Sequence, residues 1–185
     1  MRRSLLVLAL VAFTPLLALA QGARPAPWKA KVDAELPLLG HRNWILIVDS
    51  AYPLQTSPGV ETVETNADEL DVVRYVLNAV HHAIHVRPEI YMDAELPYVP
   101  DTDAPGASAY RQQIAAALHG HAIESLPHDR IIANIDDTGK LFHILILKTS
   151  LTIPYSSVFI RLNCKYWSDD AENRLRARMA EASGK

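Results

Sequence analysis

Apolar residues along this chain gather into short uninterrupted runs and into helically spaced stripes. Trp44-Ile45-Leu46-Ile47-Val48 lies between His41 and Asp49, and Val158-Phe159-Ile160-Arg161-Leu162 follows Pro154-Tyr155-Ser156-Ser157. Apolar runs bounded by turn residues read as strands. Residues 141–147 make a third such run, and residues 85–92 have strand character weakened by Pro88. Residues 131–135 read as a short strand closed by the turn residues Asp136-Asp137-Thr138-Gly139, and residues 57–64 as turn and loop. A different period governs Leu70, Val73, Val76, Leu77 and Val80, the spacing of one helix face. Asn66 with Glu69 three positions on fits a capping box at its start, and the helix is predicted to end near His82. Residues 108–118 form a second helix stopped by Gly120, and residues 171–182 a charged amphipathic one. Strands alternating with helices specify an α/β layered domain, whose ligands bind at the carboxyl ends of strands.

The first twenty residues stand apart from this pattern. Arg2 and Arg3 precede the apolar stretch 5–17, and Ala18-Leu19-Ala20 precedes Gln21. This is the form of a secretory signal peptide, so the mature chain is expected to be periplasmic or secreted. Residues 21–30, rich in Pro and Ala, read as a flexible leader, and residues 31–185 as a single domain. Without the signal, 16 basic residues face 21 acidic ones, a net charge of about −5. No basic stripe is present, which argues against nucleic acid as a partner. No second apolar segment is long enough to span a bilayer, so no membrane association is expected after cleavage. Cys164 is the single cysteine, which excludes a disulfide framework; it reads as a small apolar strand residue.

Candidate chemistry sits at the ends of the two apolar runs. His41 is either a general acid/base or a loop residue bonded to local backbone; the imidazole is the side chain that titrates nearest neutral pH. Asp49 either acts on a ligand or caps the turn that follows it. Tyr155 is placed to offer a phenol to a small polar ligand. Among the other histidines, His81 and His85 share a helix spacing, but the zinc-protease pattern is absent and no third ligand is evident, so no metal is assigned. His119 and His121 read as loop residues, and His143 as a structural strand residue. His128 follows Pro127 in a loop. Asp136-Asp137-Thr138-Gly139 lacks the alternating carboxylates of a calcium loop. There is no G-x-S-x-G, phosphate loop or dinucleotide fingerprint.

Residues 39–53 resemble the opening motif of the D-ribose pyranase and L-fucose mutarotase family: Gly40, His41, Asp49 and Pro53 match, with Ser50 intervening before Ala51. Residues 149–162 resemble the closing motif through Pro154 and Tyr155. The resemblance implies a three-layer α/β/α domain with a mixed or mostly parallel sheet, assembled into homo-oligomers with sites at subunit interfaces. It implies interconversion of monosaccharide ring forms or anomers without a cofactor. His41 would then be the acid/base, Asp49 its orienting partner or a sugar ligand, and Tyr155 a sugar contact. His128 corresponds to a further family histidine, and Ser157 stands where the family has Asn. Asn43 replaces the Asp two residues after the His, and Ser150 and Leu151 replace a Gly and a Glu. These departures keep open a second reading, a carbohydrate-binding or sensing module without turnover.

Overall fold

The computed structural model describes residues 26–184. The expected signal peptide and the first residues of the leader lie outside them. Six strands, β1 (Trp44–Val48), β2 (Val60–Glu64), β3 (Val86–Asp93), β4 (Ile123–Leu126), β5 (Ile144–Lys148) and β6 (Val158–Cys164), form one sheet in the order β2-β5-β1-β6-β3-β4. Five strands run in one direction. β6 alone is antiparallel, paired to β1 on one side and β3 on the other. Among the described residues five α-helices complete the fold: α1 (Pro27–Glu35), α2 (Glu69–His82), α3 (Ala107–Ala117), α4 (His128–Thr138) and α5 (Asp169–Ala182).

β1 is buried at every position because it is covered on both faces, which is why its sequence is continuously apolar rather than alternating. On one face Ile45, Ile47, Leu145 and Ile160 pack with α1, α2 and α3. On the other Trp44, Leu46, Ile146 and Phe159 pack with Ile131 and Ile135 of α4. The α/β layering is therefore as the sequence pattern predicts, and the three-layer α/β/α arrangement with a mixed, mostly parallel sheet is as the family resemblance implies.

Several local expectations give way to competing physics. Residues 131–135 are helix, not strand. Ile131 and Ile135, four apart, both turn into the core, so the helical period outweighs β-branched propensity, and residues 136–138 extend the helix. Residues 60–64 are strand, not loop, although β2 is a half-exposed sheet edge carrying Glu61 and Glu64. The leader ends earlier than expected, because a helix starts at Pro27, a residue whose fixed φ suits the first helical position. The capping box is also displaced. Asp68 is the N-cap, its Oδ1 accepting from Leu70 N at 2.9 Å, and Glu69 turns inward instead of reaching back. Pro88 is tolerated in β3 because β4 pairs only with Ile90–Asp93. The strand is an edge where the proline lacks its N–H.

Candidate functional site

The direction of β6 decides where the site forms. The chain leaves β1, β3 and β5 at the same edge of the sheet at which it enters β6, so Asp49, Asp93 and the turn holding Tyr155 meet there. A cleft of about 830 Å³ opens at this edge, within the range of small-ligand sites. One wall is the loop after β1, with Asp49, Tyr52 and Ser57. The opposite wall is α4, with His128, Ile132 and Asp136. Tyr155 stands between them.

Local sequence fixes each of these side chains. Asp49 Oδ1 accepts from Ala51 N at 2.7 Å, an Asx turn that swings the chain out of β1. Tyr52 is buried, and its hydroxyl accepts from Gln55 Nε2 at 3.1 Å. Burial, reinforced by Asp136, pushes its phenol up to about 12. Lys148 Nζ donates to Tyr52 O at 2.9 Å, so the ammonium beside the cleft is already engaged. At the far end of this wall Gly59 meets the end of α4. A Cβ at that position would lie 2.8 Å from Phe142 O and 2.9 Å from Gly139 O.

His128 opens α4, where Glu95 accepts from its backbone N at 3.0 and 3.1 Å. Its ring Nδ1 lies 3.0 Å from Asp93 Oδ1. The Asp93 side chain is fully enclosed while the imidazole is 41% exposed to the cleft. Burial raises the Asp93 pKa, and the hydrogen bond with His128 opposes that rise. In a neutral ring whose Nδ1–H donates to a carboxylate, Nε2 is the acceptor, which fixes the orientation in which the ring can exchange a proton. Tyr155 faces this ring edge-on, with centroids 5.5 Å apart at 82°. It does so from a left-handed backbone, φ 59°, a conformation that a bulky residue adopts only when its surroundings enforce it. The cleft thus holds one oriented imidazole, carboxylates at Asp49 and Asp136, two phenols, and no Lys or Arg among its lining residues.

The RbsD / FucU transport protein family matches residues 29–164. The chain belongs to this family. Among solved structures it is similar to RbsD from Bacillus subtilis, a complex with D-ribose, with 16% identity, 74% of this chain and 92% of that chain covered, and a TM-score of 0.51. It is also similar to the fucose mutarotase from Streptococcus pneumoniae in complex with L-fucose, with 18% identity, 74% and 91% covered, and a TM-score of 0.45. No curated protein matches.

Within this RbsD/FucU-family domain, Asp49, His128 and Tyr155 come together, and two other sequence-derived candidates do not join them. His41 is exposed at the opposite edge, in the turn that enters β1, so the five residues of β1, roughly 17 Å of strand, separate it from Asp49. Its turn is built by Asn43, whose Oδ1 accepts from Gly40 N at 2.7 Å and whose Nδ2 donates to His143 O at 3.0 Å. Ser157 is 2% exposed at the start of β6 and lies behind the cleft lining. Asp93 and Tyr52 escaped sequence reasoning. Asp93 carries the same signal that singled out Asp49, a carboxylate closing a strand, but Pro88 made that strand hard to bound.

The histidine cluster before β3 is occupied by backbone. His82 Nδ1 lies 2.7 Å from Asn78 O, and His85 Nε2 lies 2.9 Å from Leu39 O. Among the described residues, Glu35, Glu61 and His143 hold donor atoms within 4.8 Å of one another. Lys31 Nζ already contacts both carboxylates at 2.6 Å, so positive charge there is supplied by the chain itself.

Proposed function

We propose that this protein binds an unphosphorylated monosaccharide in the cleft and interconverts its ring forms or anomers by acid/base catalysis. The observation that carries this reading is the Asp93–His128 pair facing Tyr155 and Asp49 in one cleft of an RbsD/FucU-family domain. Ring opening removes the proton of the anomeric hydroxyl, breaks the bond from the anomeric carbon to the ring oxygen, and delivers a proton to that oxygen. Closure reverses these steps with the carbonyl presenting its other face. One oriented base and one acid suffice, each contributing about 10²–10⁴-fold. His128 Nε2, with Asp93 behind it, is the group suited to accept or return the proton. Asp49 and the Tyr155 hydroxyl suit the sugar hydroxyls. The absence of Lys and Arg from the cleft lining favours a neutral sugar over a phosphorylated one.

His41 enters this reading only from another copy of the chain, because its own cleft lies at the far edge of its own sheet. A homo-oligomer in which the His41 edge of one protomer meets the cleft of the next would reunite the family motif. We also infer an exported mature protein, from the signal-like first twenty residues. Saturation-transfer and exchange NMR with ribose, fucose, galactose and glucose tests the function. Anomer exchange faster than buffer supports the enzyme, and binding without exchange supports a carbohydrate-sensing module. Neither, across the panel, refutes both.

A further inference from the structure

Beneath the cleft, Glu69 is buried to 0% exposure at the first turn of α2. Among the described residues its side-chain partners are three hydroxyls, with no cation. Tyr110 Oη of α3 lies 2.9 Å from Oε1. Thr149 Oγ1, just after β5, and Ser156 Oγ, in the turn before β6, lie 3.3 and 3.4 Å from Oε2. Each hydroxyl has one proton, and each also has a closer carbonyl acceptor: Ser156 O at 2.7 Å for Tyr110, Val48 O at 2.9 Å for Thr149, and Ile153 O at 2.8 Å for Ser156. A carbonyl cannot donate. If Tyr110 gives its proton to Ser156 O, only a protonated Glu69 can complete the 2.9 Å contact, donating from Oε1 to Tyr110 Oη.

We propose that Glu69 is a positioning residue that works as a neutral carboxylic acid, donating to Tyr110 so that Tyr110 can hold the Ser156 carbonyl and with it the strained Tyr155 turn. This rests on the proposed function only in assigning Tyr155 to the sugar. The chain of bonds from Glu69 through Tyr110 to Ser156 stands on the fold. Burial, with the Asp49 charge adding to it, raises the Glu69 pKa to about 8, against which the three hydroxyls act. The titratable groups facing the pair are Asp49 from the turn after β1 and Asp68 from the helix cap, and both are acidic. A second negative charge under the cleft is therefore opposed from each side. Once Glu69 ionises, Tyr110 must turn its proton to the carboxylate and release Ser156 O. The turn that sustains φ 59° at Tyr155 loses a tie on the residue that follows it.

The test combines carboxyl ¹³C NMR, amide exchange and sugar binding on the full chain. Glu69 is expected to titrate near pH 8, with amide exchange of residues 155–157 accelerating at the same midpoint. Affinity for D-ribose or L-fucose should fall about three- to tenfold across that transition, the worth of one hydrogen bond. Glu69→Gln, whose amide donates to Tyr110 at every pH, should keep the neutral-pH behaviour and lose the alkaline step. Glu69→Leu should show loosened amides already at pH 7. A Glu69 carboxyl that titrates below pH 6, or an alkaline step that persists in Glu69→Gln, overturns the proposal. If no sugar binds, the proposed function fails, while the titration and the amide exchange still decide the role of Glu69.

Discussion

The two ends of β1 carry the two residues by which the family motif is recognised, yet they belong to different environments. At the carboxyl end, Asp49 meets side chains from β3, α4 and the turn before β6, because the antiparallel β6 starts from that edge. At the amino end, His41 is exposed in a turn held by Asn43, beside Phe142, over which the Arg42 guanidinium lies at 5.6 Å. Eight residues of sequence suggest proximity, whereas a strand converts them into distance. The comparison teaches that the motif describes two surfaces of the fold, which only the proposed assembly would join in one site.

The largest effect should come from the cleft side. His128→Ala is expected to reduce anomer exchange by about 10²–10⁴-fold, read by exchange NMR, and to lower the melting temperature as well, because the enclosed Asp93 carboxylate loses the ring that hydrogen-bonds it. Wild-type exchange in this variant would remove His128 from the chemistry. His41→Ala sharpens the contrast. In the assembled reading it should also lose exchange, while an equimolar mixture with His128→Ala, unfolded and refolded together, should regain part of it through clefts that combine one intact residue from each chain. Equal activity in His41→Ala and wild type, or no recovery on mixing with both variants inactive, would confine catalysis to one protomer's edge.

A thermal measurement probes the layer beneath the cleft. A carboxyl whose folded pKa is raised binds its proton more tightly in the native state. Its contribution is therefore complete below the ordinary carboxylate range, near 4.5, and is lost as pH climbs to about 8. Wild-type melting temperature should decline relative to Glu69→Gln across that window and run parallel to it above. A gap that stays constant from pH 5 to 8 would mean that Glu69 is already ionised.

Smaller effects are expected at the closing turn. Tyr155→Gly removes a half-exposed ring but relieves a left-handed residue, worth about 1–2 kcal/mol. Its melting temperature should be no lower than wild type while sugar binding weakens, and a large drop in stability would show that the ring itself holds the turn. Ser157→Asn restores the family residue at a position that is 2% exposed. Overpacking costs about 1–3 kcal/mol, so the variant should melt lower rather than bind sugar more tightly. Tighter binding at unchanged stability would put Ser157 back at the ligand.

Much of the fold was legible because its signals are local. The continuous apolar runs of β1 and β6 and the stripe from Leu70 to Val80 each carry their own period. α4 was not, since Ile131, Ile132 and Ile135 followed by Asp136-Asp137-Thr138-Gly139 look like a strand and its turn until the core is there to take Ile131 and Ile135. The site was legible in part. Asp49, Tyr155 and His128 were marked by resemblance, but Asp93 and Glu69 act through partners 35 and 41 residues away, pairings no local pattern encodes. Spacing from Asn66 makes Glu69 read as the second member of a capping box, because spacing does not reveal which way a side chain turns.

Gly59 is not among the cleft's lining residues, yet its missing side chain is what lets one cleft wall close on the end of the other. The loop bearing Tyr52 is pinned at this residue against Gly139 O and Phe142 O, at the end of the helix that bears His128. Any side chain there must push backbone from backbone, since neither contact is a flexible tip. A constraint on the spacing of the cleft walls therefore lies outside the cleft. A lineage could change its substrate by altering one residue that never touches it, leaving the reacting groups as they are.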